Sequence, residues 1–246
     1  MNTIVCQGAR ELGQRAATEA AANIRQAIQE RGCSHVVFAT GASQFEVLDA
    51  LVAAPGIDWP LVVGFHLDEY VGLPPAHPAS FCRYLRSRLV ERAPIGDFHF
   101  INGESSPHAE CRRIGDLIRH VSIDVALVGI GENGHLAFND PPADFQTESP
   151  YLLVELDEAC RRQQWGEGWF PAMDAVPRQA ISMSIRQIMK SRAIVCSVPD
   201  RRKAEAVKAA LQGPVTPQVP ASILQHHNRV TVYLDPSSAS LIKTDS

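Results

Sequence analysis

The sequence predicts an α/β fold: an open, mostly parallel sheet with helices on both faces, closed into a single domain over residues 1–246. Three observations carry this. Short β-rich runs alternate with segments of helical periodicity, and the runs are apolar continuously rather than at every second residue, which requires burial of both faces. With 246 residues, 45% of them hydrophobic and 20% charged, the chain is also long enough for one large core.

Each element has its own signal. His35 to Ala39, Pro60 to Leu67, Phe98 to Asn102, Asp124 to Gly131, Arg192 to Val198 and Val230 to Asp235 read as strands. Glu11 to Arg31, Gln44 to Val52, Ala79 to Glu91, Ser106 to His120 and Asp200 to Leu211 carry apolar residues three or four apart and end near a glycine or proline, so they read as helices. Asp144 to Gly168 has the weakest pattern and is polar in parts, which suits a covering segment over a site, at about residues 144–170.

Composition excludes several function classes. A formal net charge of −4 offers no basic face for nucleic-acid phosphates, so the partner expected is a small molecule. No run reaches the roughly 18 apolar residues of a membrane span, and Met1 to Cys6 lacks the basic-then-apolar order of a secretory leader. The six cysteines are scattered without a CxxC pair, so they read as reduced thiols in a cytoplasmic protein.

In open parallel sheets ligands bind beyond the carboxyl ends of the strands, so the residues just after each strand are the candidates for chemistry. The first junction, Thr40-Gly41-Ala42-Ser43, leads small residues into a helix, where free amides, the helix dipole and two hydroxyls suit an anion; Ser43 as a plain N-cap is the alternative. The second places Asp68 and Glu69 at the end of a buried strand, where desolvation raises a carboxyl toward the range of a general base, or where the pair caps a turn; His66 reads as structural. The third, Gly129-Ile-Gly131-Glu-Asn-Gly134-His135, matches GxGxxG literally. It comes late in the chain and reaches Pro141-Pro142 within a few residues instead of opening a helix, so His135 beside Asp140 reads as acid/base machinery rather than part of a dinucleotide site. The fourth sets Arg201, Arg202 and Lys203 at a helix start, where the dipole disfavours cations, so that either a nearby anion or solvent accounts for Lys203.

Taken in order, Thr40 to Ser43, the Asp68-Glu69-Tyr70-Val71-Gly72-Leu73 stretch, Gly134-His135-Leu-Ala-Phe-Asn139 and Lys203-Ala204 resemble the glucosamine-6-phosphate deaminase family across most of the chain. The resemblance implies isomerisation coupled to deamination, glucosamine 6-phosphate and water becoming fructose 6-phosphate and ammonia, with no metal or organic cofactor. It implies ring opening for His135, proton transfer between C2 and C1 for Asp68, and phosphate holding for Thr40, Gly41, Ala42, Ser43 and Lys203. Asp140 and Asn133 match positions that serve the histidine; Glu69, Gly131 and Asn139 are further expected substrate contacts.

The chain departs from the family pattern in places. Asp140 stands where the family usually has glutamate, one methylene longer, which leaves room for a bridging water. Asn133 is aspartate in many members, so the partner of His135 is left open between these groups and Asn139. A phosphate-gripping arginine ahead of an aromatic pair is missing at Glu167-Gly168-Trp169-Phe170, and Arg161 and Arg162, close by in sequence, are the expected substitutes. Pro150 and Leu152 stand near positions that are basic in members activated by amino-sugar phosphates, so no such activation is expected. The alternatives are a 6-phosphogluconolactonase, whose motif after the histidine differs from Leu-Ala-Phe-Asn-Asp-Pro, and a non-catalytic sugar-phosphate sensor, which leaves Asp68 and His135 without a task. A homo-oligomer is compatible with any of these.

Overall fold

The computed structural model describes residues 1–243. In chain order these form β1 (Asn2–Val5), α1 (Ala9–Arg31), β2 (Ser34–Phe38), α2 (Phe45–Val52), β3 (Val62–His66), β4 (Asp68–Tyr70), α3 (Phe81–Leu85), β5 (Asp97–His99), α4 (Pro107–Arg119) and β6 (Val125–Val128). There follow β7 (Tyr151–Glu155), α5 (Glu158–Gly166), β8 (Gln179–Met183), α6 (Ile185–Met189), β9 (Ala193–Val198), α7 (Ala204–Gln212) and β10 (Val230–Leu234). Short 3-10 turns join several of them, and α3 runs on into a wider π turn, Arg86–Val90.

Seven strands make one sheet in the order β1-β10-β9-β6-β2-β3-β5, and each neighbouring pair is parallel. The pleat explains the continuous apolar runs. In β2, Val36 and Phe38 join the layer of Leu12, Ile24 and Leu48 from α1 and α2, while Val37 between them joins Ile114 and Ile118 of α4 on the opposite face. With α6 and α7 on the α4 side, both faces are covered, as the sequence predicts.

From β2 the chain steps outward to β3 and β5, and from β6 it steps the other way to β9 and then β10, which lies beside the edge strand β1. That reversal, between β2 and β6, is a topological switch point, where the loops on either side diverge and leave a crevice.

A second sheet, β4-β8-β7, is antiparallel and short. Its strands are not marked by sequence periodicity, because three to five residues give little of it. Beneath it Tyr70, Phe81, Phe138 and Phe170 pack together, with Tyr70 and Phe170 ring to ring at 5.4 Å. The stretch of weakest pattern holds β7 and α5. Among the described residues no helix is long and apolar enough to cross a membrane.

Candidate active site

The crevice holds a cavity of about 330 Å3 lined from the ends of β2, β3, β6, β9 and β10 and from α5. Its size suits a small metabolite. Thr40, Gly41, Ala42, Ser43, Asp68, Gly131, His135 and Lys203, eight of the predicted site residues, line it.

Asp68 begins β4, paired with Ser182 of β8. Its Oδ1 is buried without a hydrogen-bond partner. Burial, with Glu69 adding like charge, pushes its carboxyl up to about 8. A carboxyl so placed keeps its proton to higher pH than an ordinary aspartate, and its ionised form is a strong proton acceptor. Glu69 points the other way: it accepts from Tyr70 N, Phe81 N, Cys82 N and the Ser80 hydroxyl, at 2.7 to 3.2 Å. Burial raises this carboxyl to about 7 against those four donors. Glu69 therefore anchors the start of α3 and does not reach the cavity, which corrects its expected role as a substrate contact. His66 is fully buried and held neutral, its imidazole pushed down to about 3 by burial, as a structural histidine should be.

After β6 the chain folds back on itself, Gly131 N donating to His135 O. The His135 ring then lies directly over Gly131, where an added Cβ would come within 2.2 Å of Nε2. Glycine is required there by close approach. His135 Nδ1 meets Asp140 Oδ1 at 3.1 Å, so the shorter carboxylate reaches the imidazole directly and no water is needed between them. Asp140 also accepts from Asn133 Nδ2 at 3.0 Å and Asp157 N at 3.0 Å. Burial acts to raise the Asp140 carboxyl, but His135 together with these donors outweighs it and holds the group below its ordinary range. An ionised Asp140 fixes the proton on Nδ1 and leaves Nε2 as the nitrogen with a free lone pair. Asn133 ties this pair together, bridging Asp140 and Asp157 through Nδ2 while its Oδ1 receives His135 N.

Asn139 is a latch rather than a substrate contact. Its amide donates to Leu136 O at 2.8 Å and Met183 O at 2.9 Å, pinning the turn to β8, and Ala137 within that turn is held at φ 54°.

Elsewhere on the cavity wall, Gly41 at φ 87° turns the chain into a 3-10 turn, Ala42–Gln44, ahead of α2. Ser43 does not serve as an N-cap. Its hydroxyl is held by Gln44 Nε2 at 3.2 Å, beside Gly129. Lys203 ends the 3-10 turn before α7 with its side chain only 7% exposed, and Asp200, at φ 88°, accepts from Arg202 N to shape that turn.

Lining residues outside the predicted set include Gln163, Gln164, Glu167 and Arg202. The first three come from one face of α5 and the residue after it. Gln164 accepts from the Tyr70 hydroxyl at 2.7 Å, and Gln163 joins Glu132 N to Glu167. Arg161 and Arg162 stand elsewhere. Arg161 donates to the carbonyls of Met173 and Val176, and Arg162 pairs with Glu158 in the open, so neither reaches the cavity and the expected substitution for the missing arginine is corrected. Helical phase is the reason: with Cys160, Gln163 and Gln164 buried, positions 161 and 162 turn away. The cation that does line the cavity beside Lys203 is Arg202.

Asp68 and His135 share one switch-point cleft with the cations Arg202 and Lys203, a layout suited to an α/β enzyme working on a small polar molecule. The chain belongs to the family of glucosamine-6-phosphate isomerases/6-phosphogluconolactonase, whose model matches residues 7–233. It is 36% identical over 246 residues to a glucosamine-6-phosphate deaminase of Lactobacillus delbrueckii subsp. bulgaricus, covering 99% of this chain and all of that one. It is 37% identical to glucosamine-6-phosphate deaminase 2 of Bacillus subtilis, over 92% of this chain and 93% of the relative. The structure superposes on that of a monomeric glucosamine-6-phosphate deaminase with a TM-score of 0.89 at 32% identity, covering 98% of this chain and 100% of the other. A putative 6-phosphogluconolactonase from Neisseria gonorrhoeae, at TM-score 0.76, 19% identity and 95% and 98% coverage, shares the fold.

Proposed function

We propose that this chain converts glucosamine 6-phosphate and water to fructose 6-phosphate and ammonia. Thr40, Gly41, Ser43 and Lys203 hold the phosphate end, which places the amino-bearing carbon near Asp68. His135, through Nε2, moves the proton that opens the sugar ring, with Asp140 stabilising the imidazolium that forms. Asp68 as carboxylate takes the C2 proton, giving an enolamine, and returns it to C1. The imine left at C2 adds water and expels ammonia, so the net step cleaves a C–N bond hydrolytically while C1 is reduced and C2 oxidised within one molecule.

The observation that carries this reading is the buried Asp68 carboxyl with an unpartnered oxygen, in the same cavity as the His135 ring. Removing a proton from carbon needs a fixed base shielded from competing water, and this is such a base. The full-length identities to named deaminases support the choice of substrate over a lactone. Purified protein supplied with glucosamine 6-phosphate should yield ammonia and fructose 6-phosphate in equal amounts, and Asp68→Asn should yield neither. Intact protein that forms neither product would overturn the reading.

A further inference from the structure

Two glutamines of α5 stand side by side on the cavity wall, and their amides are engaged differently. Gln163 has both ends committed: its Oε1 accepts from Glu132 N at 2.9 Å and its Nε2 donates to Glu167 Oε1 at 2.9 Å. Gln164 has only one. Its Oε1 accepts from the Tyr70 hydroxyl at 2.7 Å, and among the described residues no acceptor takes either proton of its Nε2. Gln164 is only 5% exposed and lines the cavity, and this nitrogen is not sealed within protein.

Tyr70 decides which end of that amide is left over. Its ring is fully buried against Phe81, Phe138 and Phe170, with ring centroids 4.9 to 5.4 Å apart. Phenylalanine rings carry no oxygen or nitrogen acceptor, so the hydroxyl proton is satisfied at Gln164 Oε1. A flipped amide would turn N–H toward the hydroxyl and leave that proton buried without a partner. The amide oxygen is thus locked onto Tyr70, and Nε2 is presented to the cavity as a neutral donor. A donor left unpaired in a largely desolvated wall is costly, and a ligand oxygen placed against it removes the cost.

We propose that Gln164 is a specificity-determining residue: its Nε2 donates to one hydroxyl oxygen of the bound sugar chain, and Tyr70 is the positioning residue that holds it in that orientation. With the phosphate assigned to Thr40 to Ser43 and Lys203, the acceptors that remain along a sugar phosphate are chiefly hydroxyl oxygens. A site built this way rejects a ligand that lacks the matching oxygen, because the donor is then buried unpaired. The inference rests on the reading of this cavity as a sugar-phosphate site, but not on turnover.

The test is titration calorimetry, at one pH, with sorbitol 6-phosphate, whose acceptors besides the phosphate are all hydroxyls, and with its single-deoxy analogues. Wild-type protein should bind one of these analogues roughly tenfold more weakly than the parent compound. Gln164→Met keeps the length of the side chain without the donor; it should bind the parent roughly tenfold more weakly than wild type does, and that analogue no more weakly than the parent. Tyr70 loses its acceptor in this variant, so the second variant combines Tyr70→Phe with Gln164→Met, removes both partners of the buried hydrogen bond, and should behave the same. An equal deoxy penalty in wild type and variants, no penalty for any analogue in wild type, or no binding of sorbitol 6-phosphate would each overturn the proposal. Turnover of glucosamine 6-phosphate with any of those results would leave the deaminase reading intact, and a penalty abolished by the variants in a protein without turnover would do the reverse.

Discussion

Replacing Asp68 by Asn should abolish the chemistry and, at the same time, stabilise the fold in a pH-dependent way. In the unfolded chain an aspartate carboxyl ionises near 3.8, and in the folded chain burial raises it to about 8. A folded-state pKa above the unfolded one means that the folded form binds more protons between these values, so stability is complete at low pH and is lost progressively as pH rises toward 8. Near pH 4.5 the loss is about 1 kcal/mol, and near pH 7 it approaches about 4 kcal/mol, at about 1.36 kcal/mol per unit. Asparagine keeps the shape and never ionises. Even if relaxation halves the figure, Asp68→Asn should gain about 2 kcal/mol at neutral pH, or roughly 4–8 °C in Tm for a domain of this size, and only about a quarter of that near pH 4.5. Thermal unfolding of both proteins followed by circular dichroism across that range is the assay. A variant that melts below wild type at neutral pH, or with an offset that does not grow with pH, would refute the argument that the Asp68 carboxyl is held in a strained, desolvated state.

Two further outcomes test the groups around it. Gly131→Ala places a methyl 2.2 Å from His135 Nε2 and within 2.4 Å of two ring carbons, so the imidazole must leave its seat; kcat should fall about 100-fold with the protein still folded, and a kcat within twofold of wild type would show that the ring's position does not matter. Glu69→Ala strips four donors of a buried acceptor and should cost about 3 kcal/mol, read as a fall of roughly 6–12 °C in Tm; an unchanged Tm with lost turnover would return Glu69 to the chemistry.

Six strands of the seven-stranded sheet were legible because burial on both faces writes itself into the composition of a strand, whereas the four-residue edge strand β1 is largely exposed and was not; Asp68 and His135 were legible because strand ends are where such sheets work. What escaped has physical causes. α5 is a short helix whose buried face carries polar residues toward the cavity, so Gln163, Gln164 and Glu167 look like surface residues until Tyr70 and Lys203 are seen beside them. Among Arg201, Arg202 and Lys203 only the pitch of the 3-10 turn decides which point inward: Arg201 goes out to Ser240, while Arg202 and Lys203 line the cavity. Asp68, Glu69 and Asn139 are all buried polar residues after or near strands, and sequence cannot tell an unsatisfied carboxyl from one with four donors.

The cavity draws its walls from Ala9 through Asp235, spanning nearly the whole polypeptide. No contiguous fragment contains it. Binding competence is therefore a property of the completed fold, and a seated metabolite acts as a bolt through distant strands, resisting global opening by RT ln(1 + [L]/Kd) rather than quieting one loop. Protease resistance gained on ligand addition should consequently appear at cleavage sites all along the chain.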